Sequence, residues 1–482
     1  MFDIRPVGYV IGLLLACLGV TMLPPLAVDI AEGRGHWPVF AECAVLTLLS
    51  GTVLALACQN SKKEGLTLQQ TFLLATLVWI ALPLFGALPF MLGATEARFV
   101  DAFFEAMSGM TTTGSTVFSG LDDLPKGLLL WRGILQWLGG IGIIVVAMVF
   151  LPELRVGGMQ IFRSEAFETM GKILPRATAI AGQISVIYVG ITLACAFTYL
   201  IMGMGPFDAS VHALTTVSTG GFSTRDASFG AFSGPMEYAA SFYMILAALP
   251  FVRYVQMING HGWAMFEDVQ VRGFAWTIFG LTGMLFLVLL TIFPQHWEQS
   301  LREALFNIVS ILSGTGFASV DYMAWGGFAI TLFFFAGLIG GCAGSTACSV
   351  KIFRYQILLA SLRAQFRRIH TPHGVFIARY DGRPIPEDVL SSVMSFFVFF
   401  TVTLGVLTVA LGLTGLDFVT ALSGAATALA NIGPGLGDTI GPAGNFSTLN
   451  DTAKWLLAIA MLVGRLELMV VYALLTVNFW RA

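Results

Sequence analysis

Four short segments rich in threonine, serine and glycine recur along this chain of 482 residues. Each follows an amphipathic run that comes after a long apolar one. The segments are Thr111–Ser115, Ser218–Phe222, Ser313–Phe317 and Asn431–Pro434. An ion filter needs backbone carbonyls in place of a hydration shell, and glycine reaches the required backbone angles without a steric penalty. The segments therefore predict four re-entrant pore loops that line one ion filter.

The four segments share a register, in which an acid precedes a glycine. The pairs are Asp101 with Gly114, Asp208 with Gly221, Glu303 with Gly316, and Asp417 with Gly433. The separation is 13 residues in the first three pairs and 16 in the fourth. An acid at the start of a short helix fits the helix dipole, whose negative end would then point at the filter and favour a cation.

The elements that position these loops are apolar helices. The chain is 56% hydrophobic and 11% charged, with a mean hydropathy of +0.82, which is too little charge to cover a soluble protein of this size. The apolar runs are continuous rather than alternating, which predicts helices rather than a barrel. We predict ten membrane spans: 6–29, 38–58, 69–95, 126–152, 177–203, 235–258, 273–293, 324–352, 390–413 and 453–479.

The predicted fold is an all-α integral membrane protein with four tandem helix, pore-loop, helix repeats around one pore. The N-terminal part adds a transmembrane hairpin to these repeats. The predicted units are the hairpin 1–68, repeat one 69–176, repeat two 177–272, repeat three 273–388 with a basic cytoplasmic loop, and repeat four 389–482.

Orientation follows from the basic residues, because Lys and Arg concentrate on the cytoplasmic side. With both termini cytoplasmic, 17 of the 25 Lys and Arg lie on that side. They are Arg5, Lys62, Lys63, Arg155, Arg163, Lys172, Arg176, Arg253, Arg272, Lys351, Arg354, Arg363, Arg367, Arg368, Arg379, Arg383 and Arg481. The loop 353–388 is either a positive-inside anchor or a docking surface for a soluble regulator. The opposite side carries the pore loops and a run of acids that would attract cations.

Polar side chains flank the four glycines and hold their carbonyls in place through hydrogen bonds to neighbouring backbone. They are Thr112, Thr113, Thr219, Thr315 and Asn431. The alternative is that these clusters only let membrane helices pack closely. Four clusters in the same position of four repeats favour the filter.

Two further features lie within predicted spans. The segment Gly340–Ala347 places three glycines and two hydroxyls near mid-membrane, where broken backbone is tolerated only if buried or facing a water-filled cavity. It predicts a gate beneath the filter, with tight helix packing as the alternative. Arg465 is a charge in the last span, where burial is costly, so we expect it to face the pore or an acidic partner.

The sequence contains no phosphate-binding Gly-Lys-Ser/Thr loop, no metal-ligand cluster and no Ser/His/Asp arrangement. We therefore expect neither an enzyme nor an ATP-driven pump, no nucleotide bound by this chain and no nucleic-acid partner. Its immediate partner is membrane lipid.

Taken together, Ser218–Thr224, Ser313–Ser319, Asn431–Gly437 and Gly340–Lys351 resemble the superfamily of potassium transporters that includes the Trk, Ktr and plant HKT proteins. The resemblance covers essentially the whole chain. It implies one potassium pathway per chain, a homodimer with two separate pores, a place in the bacterial inner membrane, and gating by a cytosolic ring of TrkA-like subunits that bind nucleotides.

The resemblance also implies roles for individual residues. The filter residues are Thr112, Thr113, Gly114, Thr219, Gly220, Gly221, Thr315, Gly316, Asn431, Ile432 and Gly433. The gate residues are Gly340, Gly341, Cys342, Ala343, Gly344, Ser345 and Thr346, and Arg465 lies on the permeation path. The fourth loop, Asn431–Pro434, departs from the Thr-Gly pattern of the others.

Two functions remain open at this point. The first is a potassium-selective, channel-like pore gated from the cytoplasm, through which ions move down their electrochemical gradient. The alternative is a symporter coupled to sodium or protons, which would need acids buried mid-span at a second ion site. The sequence has few such acids, which favours the pore.

Overall fold

The structure is a computed structural model that describes residues 3–33, 35–60, 66–149 and 177–481. These ranges are almost entirely helical, and their single sheet is the two-residue hairpin of β1 (Arg379–Tyr380) and β2 (Arg383–Pro384). The predicted all-helical membrane fold is confirmed. Six of the basic residues used to predict orientation, Lys62, Lys63, Arg155, Arg163, Lys172 and Arg176, lie outside the described residues.

The N-terminal hairpin consists of α1 (Arg5–Val20), α2 (Leu23–Glu32) and α3 (Trp37–Cys58). Gly12 and Gly51 let α1 and α3 approach so closely that a Cβ on either would overlap the other helix backbone. Close approach at small residues is how membrane helices gain packing energy. The buried carboxylate of Asp29 accepts a hydrogen bond from Gly127 N (2.7 Å), which attaches the hairpin to the next unit.

The first predicted repeat contains α4 (Leu68–Gly86), α5 (Leu88–Leu92), α6 (Phe99–Met110) and α7 (Lys126–Val149), with a 3-10 turn at Leu121–Asp123. Thr67 and Gln70 form a capping box that begins α4. The hairpin's Asp29 and Glu32 accept hydrogen bonds from the first backbone N–H groups of α7. Acids at this end match the helix dipole.

The second repeat contains α8 (Ala177–Ile201), α9 (Pro206–Val217), a 3-10 turn at Ser228–Phe232, α10 (Met236–Ala247) and α11 (Phe251–Ile258). α10 and α11 meet at an angle of 87°. Pro250 lies at this bend and cannot donate the backbone hydrogen bond that a continuous helix needs.

The third repeat contains α12 (Ala264–Glu267), α13 (Val269–Ile292), α14 (Trp297–Ser313), a 3-10 turn at Tyr322–Trp325, α15 (Gly327–Ile339) and α16 (Ile352–His370). Asp268 caps α13 by accepting from Gln270 N (2.7 Å). The predicted acid at the start of the short helix is wrong here: α14 begins at Trp297, so Glu298 lies in its first turn and Glu303 does not.

The fourth repeat contains α17 (Glu387–Leu413), α18 (Phe418–Ala430), α19 (Asp451–Arg465), α20 (Met469–Leu474) and α21 (Val477–Arg481). Asp417 caps α18 by accepting from Val419 N and Thr420 N, both at 3.1 Å. The segment between α19 and α20 is not helical, and Glu467 and Leu468 there have positive φ angles of 60° and 52°.

Seven described helices are long and apolar enough to cross a membrane, or eight if the bent pair α10 and α11 counts as one span. The predicted spans 324–352 and 453–479 are instead broken helices, and the predicted span 235–258 is bent. Only the break in 324–352 was expected from its glycines. The second helix of the first repeat is continuous over the described residues 126–149.

Candidate ion pathway

The four short helices α6, α9, α14 and α18 end in the same hydrogen-bonded turn. In each, a residue with positive φ follows the helix, namely Thr112 (52°), Thr219 (51°), Gly314 (75°) and Asn431 (52°). The next N–H bonds to the carbonyl five residues earlier, at Thr113 to Ser108 (2.8 Å), Gly220 to Thr215 (2.9 Å), Thr315 to Ser310 (2.9 Å) and Ile432 to Thr427 (3.0 Å). This is the Schellman motif, and it turns the chain sharply away from the helix axis.

The glycine that follows each turn lies against the next loop. These glycines are Gly114, Gly221, Gly316 and Gly433, with φ angles of 87°, 75°, 80° and 111°. A Cβ on each would meet one neighbouring carbonyl oxygen: Gly220 O for Gly114, Thr315 O for Gly221, Ile432 O for Gly316 and Thr113 O for Gly433. Loop one thus contacts loop two, two contacts three, three contacts four, and four contacts one. The four loops form a closed ring.

All four of these glycines line one cavity of about 280 Å³, together with residues that follow them in the chain. Asp226 is the acid among its lining residues in the part of the chain that the structure describes, and Arg132 and Arg225 are the bases. Arg225 is paired with Asp122 (3.0 Å) and Asp208 (2.8 Å). The hydrogen bond from Arg225 holds the pKa of the Asp122 carboxyl below its ordinary value, so this carboxylate stays ionised at neutral pH.

Several acids of the run that was expected to attract cations at this mouth are in ion pairs. The pairs are Asp101 with Arg98 and Lys454, Glu105 with Arg132, Asp122 and Asp208 with Arg225, and Glu237 with Arg302. An ion pair cancels much of the field that a lone carboxylate exerts on an approaching cation. Asp226 instead accepts a hydrogen bond from the neutral Leu121 N (3.2 Å), and among the described residues it forms no ion pair.

A buried ion pair supports the first two loops, and the sequence did not point to it. Arg132 on α7 and Glu105 on α6 are almost fully buried, with 2.8 Å between Nε and Oε1. Arg132 also donates to Ser223 O (2.7 Å), and Glu105 accepts from Val117 N (2.9 Å). One charge pair therefore fixes the chain that leaves each of these loops.

Individual side chains join neighbouring loops. Gln136 on α7 donates to Gly220 O (2.5 Å) and accepts from Phe222 N (3.0 Å), so it holds both sides of the second loop's glycines. Asn431 donates to Thr113 Oγ1 (2.9 Å) and to Met461 O (3.0 Å). The asparagine by which the fourth loop departs from the others therefore joins it to the first loop.

Four side-chain oxygens in these turns are buried without a hydrogen-bond partner among the described residues: Ser108 Oγ, Thr112 Oγ1, Thr427 Oγ1 and Asn431 Oδ1. A buried polar atom that has lost water without gaining a partner costs about 1–3 kcal/mol.

The predicted gate segment is non-helical and buried. Gly340, Gly341, Cys342, Ala343, Gly344, Ser345 and Thr346 connect α15 to the stretch that leads into α16. The segment is held by α10 and α13 through Cys342 N to Ala248 O (3.1 Å), Thr346 Oγ1 to Ala247 O (2.9 Å) and Ala343 N to Gln270 Oε1 (2.9 Å). Just beyond it, the backbone N of Cys348 lies 3.7 Å from the position of a Cβ on Gly314, so the segment runs directly beneath the ring.

Arg465 is buried at the end of α19 and its guanidinium contacts the same segment. It donates to Thr346 O (3.4 Å), to Cys348 Sγ and to Gly139 O on α7 (3.3 Å), and it lies 5.6 Å from the ring centre of Trp79. These partners are neutral. Its Nε has no hydrogen-bond partner in the described residues. Its placement on a permeation path therefore stays a prediction.

The basic loop 353–388 is not a loop over most of its length. Its first part is the helix α16, whose Arg354 is fully buried and paired with Glu467. Arg363, Arg367 and Arg368 lie exposed toward the other end of α16, together with the exposed apolar residues Phe366 and Ile369. The charge is therefore divided between a buried group and an exposed surface.

Known proteins match this chain over nearly its whole length. The family model described as TrkH, cation transport protein, matches residues 36–479. The Trk system potassium uptake protein TrkI of Halomonas elongata is 44% identical over 99% of this chain and 97% of its own. The TrkH protein of Escherichia coli is 35% identical over 99% of both chains.

A solved structure matches as well. The crystal structure of the potassium transporter TrkH from Vibrio parahaemolyticus superimposes with a TM-score of 0.91 at 34% identity, covering 99% of this chain and all of that one. Together with the apolar helices, this makes the chain a multi-pass membrane protein. The match to the family model over residues 36–479 and relatives above 30% identity place the protein in the TrkH family of cation transport proteins.

Proposed function

We propose that this protein takes up potassium through a selective, gated pore whose filter is the ring of four loops. The observation that carries the proposal is the closed ring itself, in which each glycine lies against a carbonyl of the next loop. Carbonyls gathered in this way can replace the hydration shell of a cation. The curated relatives are named as potassium uptake proteins, which supports potassium as the transported ion.

The filter in this proposal consists of Thr112 to Gly114, Thr219 to Gly221, Thr315 with Gly316, and Asn431 to Gly433. The equivalent turns at the ends of α6, α9, α14 and α18 support four pore repeats with the boundaries expected from the sequence. Gly340 to Thr346 form the gate beneath this filter. Arg465, which contacts Thr346 O, lies on the permeation path and keeps cations from binding too tightly below the filter.

Buried acids support a passive pore over a coupled symporter. Four of the five buried carboxylates of the described residues have an arginine or lysine partner: Glu105 with Arg132, Glu237 with Arg302, Asp268 with Arg253, and Glu467 with Lys351 and Arg354, while the fifth, Asp29, is hydrogen-bonded to His36 Nδ1 (2.6 Å). A carboxylate already neutralised by a base is a poor site for a coupling sodium ion or proton. The membrane potential alone supplies about 2.3 kcal/mol per 100 mV to each inward charge.

The decisive experiment measures potassium and sodium flux through the purified protein in liposomes, under an imposed voltage and without a second ion gradient. We expect voltage-driven potassium flux. Potassium flux that appears only with a sodium or proton gradient would favour the coupled symporter over the passive pore. Because the conducting state is proposed to depend on a cytosolic regulator, the same assay is repeated with the regulator added.

We further propose a homodimer in the bacterial inner membrane, with cytoplasmic termini and a TrkA-like, nucleotide-binding cytosolic partner. The exposed end of α16 is the proposed docking surface because it combines basic and apolar side chains. Replacing Arg363, Arg367 and Arg368 with glutamine is expected to weaken binding of this partner in a pull-down assay with purified proteins. The exposed Arg379 and Arg383 of the β1–β2 hairpin provide the control, since their replacement should leave binding of the partner unchanged.

Asp226 is expected to concentrate cations at the mouth of the pore. The Asp226→Asn variant should conduct less potassium than wild type at about 0.01 M salt, where the Debye length is about 30 Å, and the difference should vanish at about 1 M, where it is about 3 Å. Single-channel recording measures both. The exposed Asp438, which does not line the cavity, gives the matched control Asp438→Asn. A potassium conductance of Asp226→Asn that stays below wild type at about 1 M salt would contradict an electrostatic role for Asp226.

A further inference from the structure

Two broken helices meet beneath the ring. One break is the non-helical stretch from Gly340 to Lys351, which contains the gate segment and ends where α16 begins, and the other separates α19 from α20. Lys351, Glu467 and Leu468 all have left-handed backbone, with φ angles of 74°, 60° and 52°. Such angles are uncommon for residues other than glycine, and they persist only where the surrounding structure enforces them.

Three buried charges join the two breaks. Lys351 Nζ lies 2.7 Å from Glu467 Oε1, and Arg354 Nη2 contacts the other oxygen of the same carboxylate. Lys351, Arg354 and Glu467 are 4%, 0% and 5% exposed, so solvent screens their attraction weakly. We call these three residues the charge cluster. The Glu467 carboxylate therefore pairs with two basic side chains, Lys351 directly before α16 and Arg354 within its first turn.

Arg354 is fixed on several sides. Its guanidinium lies 3.8 Å from the ring centre of Phe396 on α17 and 4.8 Å from that of Phe353, and Nη1 donates to Val350 O (2.8 Å). Cation–π contacts strengthen when the cation has lost its water. The first turn of α16 is therefore anchored to α17 and, through Glu467, to the segment that follows α19.

The remainder of α16 reaches out of this buried site. The helix has 19 residues, which corresponds to a length of about 28 Å. Its first turn contains Arg354, and its far end has the exposed Arg363, Arg367 and Arg368. We treat a helix of this length as a stiff rod, so a displacement of its exposed end also moves the charge cluster at its first turn. Because Lys351 directly precedes α16, the displacement also reaches the stretch that contains the gate segment.

We propose that the charge cluster is the latch of the gate: Glu467 holds Lys351 and Arg354, and thereby the gate segment, in the closed position beneath the ring. A pull on the exposed end of α16 opens the gate by separating Lys351 and Arg354 from Glu467. The inference rests on the proposed function and adds positioning residues that touch neither the ring nor the transported ion.

The test is single-channel recording of Glu467→Gln and Lys351→Met in the absence of the cytosolic partner. Each variant is expected to raise the open probability, by about tenfold or more for Glu467→Gln, which is within the usual range of coupling between sites. Unitary conductance and the potassium over sodium reversal potential should stay at wild-type values, because the ring is untouched. The exposed Glu387 at the start of α17 supplies the control Glu387→Gln, which should behave as wild type.

Lys351→Met keeps the result decisive if Glu467→Gln fails to fold, because it leaves one acid paired with one base. An open probability equal to or below wild type in the folded variants would overturn the latch, as would a changed reversal potential in place of a changed open probability. Selective currents with unaltered gating reject the latch alone. A wild-type protein that passes no potassium-selective current, with or without partner, rejects the proposed function itself.

Discussion

The Gly316→Ser variant is expected to lose its preference for potassium over sodium. Gly316 has a φ of 80°, and a Cβ on it would overlap Ile432 O of the next loop. The serine must therefore displace the Ile432 carbonyl or change its own backbone. We expect the permeability ratio to fall by about tenfold or more, which corresponds to about 1.4 kcal/mol of differential binding. Reversal potentials under mixed potassium and sodium solutions measure it.

Gly326 supplies the matched control for this variant. Its φ is 89°, close to that of Gly316, but a Cβ on it would meet no atom within 4 Å. Gly326→Ser therefore also strains the backbone at a positive φ angle, at a cost of about 1–3 kcal/mol, without touching the ring. Equal loss of selectivity in both variants would mean that backbone strain, and not the contact with Ile432, is responsible.

The second large effect is expected on stability, when the buried pair of Arg132 and Glu105 is broken. Removing one partner leaves an uncompensated charge in a buried site, which costs about 3–5 kcal/mol. The side chains are 2% and 0% exposed. We therefore expect both Glu105→Gln and Arg132→Leu to lower the free energy of unfolding strongly, measured as a large fall in the thermal midpoint in detergent.

The pair of Arg98 and Asp451 makes a suitable comparison, because its two atoms are also 2.8 Å apart but its side chains are 62% and 50% exposed. Breaking an exposed pair costs about 0–1 kcal/mol. Asp451→Asn should therefore shift the midpoint little. If Glu105→Gln were as mild as Asp451→Asn, the buried pair would not be what fixes the chain behind the first two loops.

The four loops could be recognised from the sequence because their glycines keep a fixed spacing within each repeat. The register also identified Gly114, Gly221, Gly316 and Gly433, which are the four glycines of the ring. The turn before them was not recognised. Gly314 occupies the left-handed position that Thr112, Thr219 and Asn431 occupy elsewhere, and the Thr-Gly pattern concealed this equivalence.

The supports behind the ring could not be read from the sequence because they join residues far apart in the chain. Arg132 lies 91 residues from Ser223, whose carbonyl it contacts, and Gln136 lies 84 residues from Gly220. Both looked like ordinary polar residues at the start of a span. Glu467 lies two residues from Arg465 but pairs with Lys351 and Arg354, which are 116 and 113 residues away in the chain.

The two helix breaks also differ in whether the sequence predicts them. Several glycines predicted the break at Gly340. The break after Arg465 consists of Leu466, Glu467 and Leu468, and none of these is glycine or proline. Its left-handed residues are held by tertiary contacts, above all the ion pairs of Glu467. Local sequence signals cannot predict a break of this kind.

The most direct test of the central claim is to locate the transported ion. Crystals of the protein grown with thallium, a heavy cation that substitutes for potassium, would be examined for anomalous scattering. We expect density inside the ring, close to the carbonyl oxygens of Thr113, Gly220, Thr315 and Ile432, and its loss in Gly316→Ser. Thallium bound elsewhere in the membrane region, with the ring empty, would contradict the assignment of these four loops as the filter.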